Sequence, residues 1–220
     1  MNLRRLSYGI GLALALTFGL AAGVQYRELQ HARTQLKVLQ PSEIDIGFSQ
    51  SMSFHHRQAI AIAQLLLDGR PTGLAALAQS IASKQMLELG QMQGWLRLWN
   101  QALLPPTQEM TWMLLGKQPL DEQLNQYLIA CGKSAAGMPG IASSEELMQL
   151  QRLDGRARDA LFLRLMLNHH QGGIPMAQFA ASQAKLAVVR KIAAQMTLDQ
   201  SQEIHQIQTI LAAISAPATD

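Results

Sequence analysis

The chain is short of several things that other kinds of protein depend on. It has a single cysteine, Cys131, so no internal disulfide can form and cysteine usage gives no reading of redox compartment. Alone in a connecting stretch, Cys131 reads as a small packing side chain rather than a catalytic thiol. Aromatic residues make up only 5% of the sequence, while Ala, Leu, Gln and Met abound. Straight-chain residues lose little rotamer freedom in a helix, so this bias favours helices over sheets. An excess of one charge is missing too. Of the 18 basic residues two are Arg4 and Arg5, and residues 1–23 hold no acidic residue; without that stretch 16 basic side chains face 15 acidic ones. Near neutrality leaves no basic stripe of the kind nucleic acid requires, and no nucleic-acid partner is expected.

What is present is apolar material, 48% of 220 residues, enough for one sizeable domain or one duplicated unit. Residues 1–24 run from a short basic start through an uncharged apolar run to Ala21, Ala22 and Gly23, the layout of an export signal. The run from Tyr8 to Val24 is almost long enough to remain as a membrane anchor, so cleaved and anchored forms both stand. Export places the domain in the periplasm or on the outer face of the inner membrane, with membrane contact only through such an anchor. Residues 25–40 are polar and read as a helical or loose spacer, with His31 solvated.

From Pro41 onward one pattern occurs twice. DIGFSQSMSFHH, Asp45 to His56, returns as DALFLRLMLNHH, Asp159 to His170, at a constant offset of 114. Asp45, Phe48, Met52, His55 and His56 match Asp159, Phe162, Met166, His169 and His170. Four of the six histidines are used here. At about 100° per residue the marked positions of each copy fall within an arc of about 100°, one face of one helix. Ser42 with Asp45, and later Ser143 with Glu146, form capping boxes that start helices. The first helix is expected to end near Asp68, before Gly69, Arg70 and Pro71.

A second helix, from about Thr72 to Ala102, carries Gln85 and Glu88 in an apolar stripe with Ile81, Met92 and Trp95. A final helix from about Ser182 to Ile214 repeats it, with Gln200 and Glu203 at an offset of 115. The repeat thus covers a whole helical hairpin. Repeat one spans 41–103, a long crossover connector 104–142, and repeat two 143–216. The connector holds Met110, Trp112 and Met113 as packing groups, a short helix in QPLDEQLNQYLIACG, and the glycine-rich GMPG of Gly137 to Gly140. Gly172, Gly173 and Pro175 are expected to kink or break the third long helix just past its histidines. The predicted fold is an all-α, ferritin-like four-helix bundle.

Buried carboxylates and amides need partners, because an unpaired buried charge is costly. Imidazoles beside thioethers form a soft to borderline ligand set that suits copper, Cu(I) above all, better than magnesium or calcium. The candidate metal ligands are Met52, His55, His56, Met166, His169, His170 and Met176. Asp45, Gln85, Glu88, Asp159, Gln200 and Glu203 are the candidate partners that orient the imidazoles. One histidine or methionine on an apolar face is ordinarily core; two copies with the same companions point to a site.

Both D-x-x-F-x-x-x-M-x-x-H-H segments, both Q-x-x-E helices and the GMPG-S-x-E-E connector, over Pro41 to Ile214, resemble the domain of unknown function 305 family. That resemblance implies a ferritin-like four-helix architecture and, since the family includes periplasmic copper-binding proteins, metal handling. The family often carries a methionine six residues after the second histidine. Met176 keeps it, whereas the first repeat has Ile62, so the second repeat is expected to be the better soft-metal site.

Two other functions fit the residue inventory. A dinuclear iron or manganese oxidoreductase would use Glu-x-x-His on two helices, but the residues three after Glu88 and Glu203 are Gln91 and Gln206. A non-metal envelope interaction protein would use the His, Asp and Glu network only to fix helix register. No nucleophile and base accompany the histidines, so binding or sequestering of a metal ion is expected rather than catalysis. Protein partners are not indicated.

Overall fold

A computed structural model describes residues 3–215 apart from 108, 118, 120 and 135, and describes side chains outside 1–16, 35–38 and 215. Every long element among the described residues is helical. The chain divides into two compact units, Met1–Gln40 and Pro41–Asp220. The first is one helix, α1 (Leu3–Leu39), so the spacer is helical. His31 is exposed in it. No helix among the described residues is long and apolar enough to cross a membrane. The apolar run up to residue 16 lies outside the described side chains.

The second unit holds α2 (Glu43–Leu66), α3 (Ala75–Leu98), α4 (Glu122–Lys133), α5 (Ser144–Arg152), α6 (Gly155–Gln183) and α7 (Ala187–Ser215), with a 3-10 turn at Thr111–Leu115. The helices α2 and α3 form one hairpin, α6 and α7 the other, and α2 packs on α6. Both expected capping boxes form, Ser42 with Asp45 and Ser143 with Glu146. The helix α3 is shorter than its apolar stripe suggests, ending at Leu98 with Asn100 in the left-handed region. Pro175 does not break α6, which runs through it as one helix to Gln183; packing on both sides overrides the loss of one backbone donor.

Contacts between the hairpins set their antiparallel order. At one end the Arg158 guanidinium, 1% exposed, donates to the carbonyls of Leu65 (2.6 Å) and Leu66 (3.0 Å) and pairs with Asp68 (2.8 Å), which satisfies the C-terminal carbonyls of α2. At the other end the fully buried Asp45 carboxylate accepts from the backbone N–H of Leu186 (2.9 Å) at the start of α7, as well as from Ser42 (2.7 Å). The apolar core falls into two clusters, one around Phe48, Met52, Met176 and Met196, the other around Ala59, Ile62, Phe162 and Met166. Trp112 packs on Gly47, leaving no room for a Cβ, and donates to Ser51 Oγ at 3.1 Å.

Candidate metal centre

Between those clusters lies a polar layer. His55, His56, His169 and His170 are each 0% exposed, two on α2 and two on α6. The rings of His55 and His169 are 3.7 Å apart between centroids and tilted by 35°, and His170 lies 5.9 Å from His169. Antiparallel helices with the same motif on facing stripes bring like positions to one level only where they cross, and α2 and α6 cross at the histidines.

The second helix of each hairpin supplies a carboxylate. His56 Nε2 donates to Glu88 at 2.7 Å and His170 Nε2 to Glu203 at 2.6 Å. His169 Nε2 donates to the backbone carbonyl of His55 at 2.8 Å. A carboxylate or carbonyl oxygen only accepts, so these bonds place a proton on Nε2, and in a neutral ring so bonded Nδ1 is the nitrogen that carries the lone pair. Among the described residues those three Nδ1 atoms have no hydrogen-bond partner, nor has either nitrogen of His55. The side-chain amides of Gln85 and Gln200, each 2% exposed, are also unpartnered at both atoms. Unpaired buried polar atoms are rare and costly, and here they concentrate in one layer.

Burial first, then repulsion from the neighbouring imidazoles, lowers the pKa of His55 well below its usual 6.5. His169 is lowered likewise, by burial and by His170. Both rings are therefore neutral at physiological pH, the state in which an imidazole is a ligand. Burial would raise the Glu203 carboxyl, but hydrogen bonds from His170 and Lys84 outweigh it and hold the group below its usual value. Lys84 Nζ lies 2.9 Å from Glu203 and 3.6 Å from Asp199, its own counterpart in the repeat. Among the described residues no lysine bonds Glu88, so the two carboxylates differ in their second partner.

The other expected residues are placed as follows. Met52, Met166 and Met176 are fully buried. Met52 and Met176 share one apolar cluster, and Met166 shares the other with Ile62. The difference between Ile62 and Met176 therefore separates the two ends of one centre, not two sites, because each helix runs opposite to its partner. Asp45 and Asp159 need correcting. Both were expected to orient imidazoles, yet Asp45 serves the turn into α7 and Asp159 accepts from Thr72 Oγ1 at 2.7 Å in the turn into α3. Ten residues of helix separate each from its histidines, about 15 Å along the axis. Sharing a face is not sharing a level.

Sequence reasoning missed the part played by the connector. The GMPG loop lies on the backbone of α6 at its histidines: a Cβ on Gly140 would come within 2.4 Å of the Asn168 carbonyl, and one on Gly172 within 2.1 Å of the Pro139 carbonyl. Gly140 also has a φ of 83°. Tyr127 of α4 donates to the Gly172 carbonyl at 2.9 Å, and Gln58 makes two bonds to the backbone of Ala142, at 2.8 and 2.7 Å. The paired glycines were the available signal. Cys131 is buried beside Tyr127, and burial pushes its thiol up to about 11, which keeps it protonated. His205 is exposed and away from the layer.

Fold and site together define a class: a four-helix bundle made from a duplicated hairpin, with paired imidazoles and their carboxylate partners buried across its middle. The sequence profile of the domain of unknown function DUF305 matches residues 45–211. The chain belongs to the DUF305 family. Its fold is similar to that of a DUF305 protein from Streptomyces coelicolor, 30% identical with a TM-score of 0.66, covering 80% of this chain and 97% of that one. A DUF305 fragment from Deinococcus radiodurans is 25% identical with a TM-score of 0.59, covering 79% and 99%. CopM in its Cu(II)-bound form shares the fold at 21% identity and a TM-score of 0.56, covering 77% and 96%. Among curated proteins no match is found.

Proposed function

We propose that this is an exported copper-binding protein whose buried imidazole layer holds the ion. The observation that supports this most is the set of imidazole nitrogens left unpartnered among the described residues, Nδ1 of His56, His169 and His170 and both nitrogens of His55, in the layer where Glu88 and Glu203 already hold His56 and His170. The donor chemistry fits the group. Imidazoles between two apolar clusters that hold the thioethers of Met52, Met166 and Met176 suit a soft cation, and Cu(I) above the hard divalent ions. Among the described residues no three His, Cys, Asp or Glu side chains already converge on one point, so binding requires ring rotation within the layer. Glu88 and Glu203 hold the Nε2–H tautomers and raise the basicity of the opposite nitrogens. Bound copper would add a positive charge beside those two carboxylates.

CopM supports the metal, since its solved forms carry Cu(I) and Cu(II). The Streptomyces relative carries the designation of a secreted protein, which agrees with the leader-like residues 1–24. A dinuclear iron or manganese oxidoreductase finds less support, because Glu88 and Glu203 each spend an oxygen on an imidazole. Metal analysis of protein purified from the exported fraction of its native host tests the reading. Copper bound in stoichiometric amount is expected; iron or manganese in its place, or no metal after growth in copper, would contradict it.

A further inference from the structure

The two repeats agree at each marked position of the layer except one. His55 corresponds to His169, His56 to His170, Glu88 to Glu203 and Gln85 to Gln200, but the position four residues after the first histidine is Ala59 in α2 and Gly173 in α6. Ala59 is fully buried. A Cβ built on Gly173 would lie 2.9 Å from Gln200 Oε1, 2.9 Å from His55 Cε1 and 3.3 Å from His55 Nδ1. The His55 ring and the Gln200 amide therefore occupy ground that an alanine methyl would claim.

The hydrogen bonds show the consequence of that departure. His169 is tied, its Nε2–H donating to the backbone carbonyl of His55 at 2.8 Å. The two-fold relation between repeats calls for the reciprocal bond, from His55 to the carbonyl of His169. It is not made: among the described residues both nitrogens of His55 are without a partner. His55 is the one ring in the layer that is drawn against the α6 backbone, and the one ring with no tie.

We propose that Gly173 is a positioning residue that makes the centre asymmetric. By admitting the His55 ring and the Gln200 amide against the backbone of α6, it leaves His55 as the imidazole able to turn either nitrogen toward a soft monovalent cation without breaking a hydrogen bond. His56, His169 and His170 present Nδ1 only, each locked by its Nε2–H bond. The centre thus pairs three fixed donors with one adjustable one, which answers the lack of convergence in the layer. The role in metal capture rests on the copper reading; the asymmetry of the rings does not.

The test uses the full chain labelled with 15N-histidine, in wild-type, Gly173→Ala and Ala59→Gly forms. Alanine is the better helix former, and the atoms it would crowd are side-chain ends, so Gly173→Ala keeps the fold. In metal-free wild type, His169 shows a slowly exchanging ring N–H and His55 shows none. In Gly173→Ala, His55 gains a protected ring N–H, and Cu(I) affinity measured against a chromogenic chelator falls roughly 10- to 100-fold. Ala59→Gly gives His169 the same room and removes its protected N–H. Unchanged His55 signals in Gly173→Ala overturn the proposal, as does an unchanged His169 signal in Ala59→Gly. If wild type binds no Cu(I), the copper reading fails while the ring signals still decide the asymmetry.

Discussion

His169 illustrates how much a single hydrogen bond decides. Its Nε2–H is committed to a carbonyl, so its chemistry is confined to Nδ1, and the carboxylates of Glu88 and Glu203 confine His56 and His170 in the same way. Replacing Glu88 with Gln keeps the size and an acceptor oxygen but removes the charge. The expected result is a roughly 10- to 100-fold weaker Cu(I) affinity with the melting temperature little changed, read by chelator competition and circular dichroism. The neutral, buried state of His55 and His169 also sets a pH dependence. Their folded pKa values lie well below the usual 6.5, so the unfolded chain takes up protons first as pH falls. The stability these groups contribute is complete above pH 6.5 and is lost as pH falls below it. The metal-free protein is therefore expected to lose stability as pH falls from 7.5 to 5.5. Denaturant melts of the metal-free protein check this; a flat profile over that range would contradict the assigned neutrality. Beside these rings are His56 and His170, bonded in turn to Glu88 and to Glu203, the last tied to Lys84.

At the scale of the element, the duplicated motif was legible because its chemistry recurs at a fixed offset and helical spacing places it on one face. The Gln85–Glu88 and Gln200–Glu203 helices were legible for the same reason. Depth along the axis was not. Periodicity fixes an angle around a helix, and it says nothing of which neighbour reaches that level, so Asp45 and Asp159 looked like companions of the histidines. They belong to the turns, and a substitution separates the two roles. Asp45→Ala removes the acceptor for Leu186 N–H and for Ser42, which should cost about 2–4 kcal/mol of stability. Copper affinity, with the site about 15 Å away along the helix, should be unchanged within error. The close fit of the GMPG loop was equally hidden, since it depends on a backbone contact distant in sequence. Gly172→Ala drives a methyl into the Pro139 carbonyl, where the fixed partner cannot yield. Thermal melting should show a loss of roughly 1–3 kcal/mol or more, in contrast to Gly173→Ala.

For the molecule as a whole, the fold turns a repeated sequence into one centre instead of two. Each hairpin brings half of the imidazoles, and the antiparallel packing of α2 on α6 joins the halves between two apolar layers. Methionines then flank the layer unequally, Met52 and Met176 at one end and Met166 with Ile62 at the other, so soft-donor character is concentrated toward the Phe48 end. The most direct test of this account is a Cu(I) competition against a chromogenic chelator, comparing wild type with the protein in which His55, His56, His169 and His170 are all alanine. Wild type is expected to withdraw copper from the chelator, and the variant, folded by circular dichroism, to lose most of that affinity. Equal retention of copper by both would contradict it.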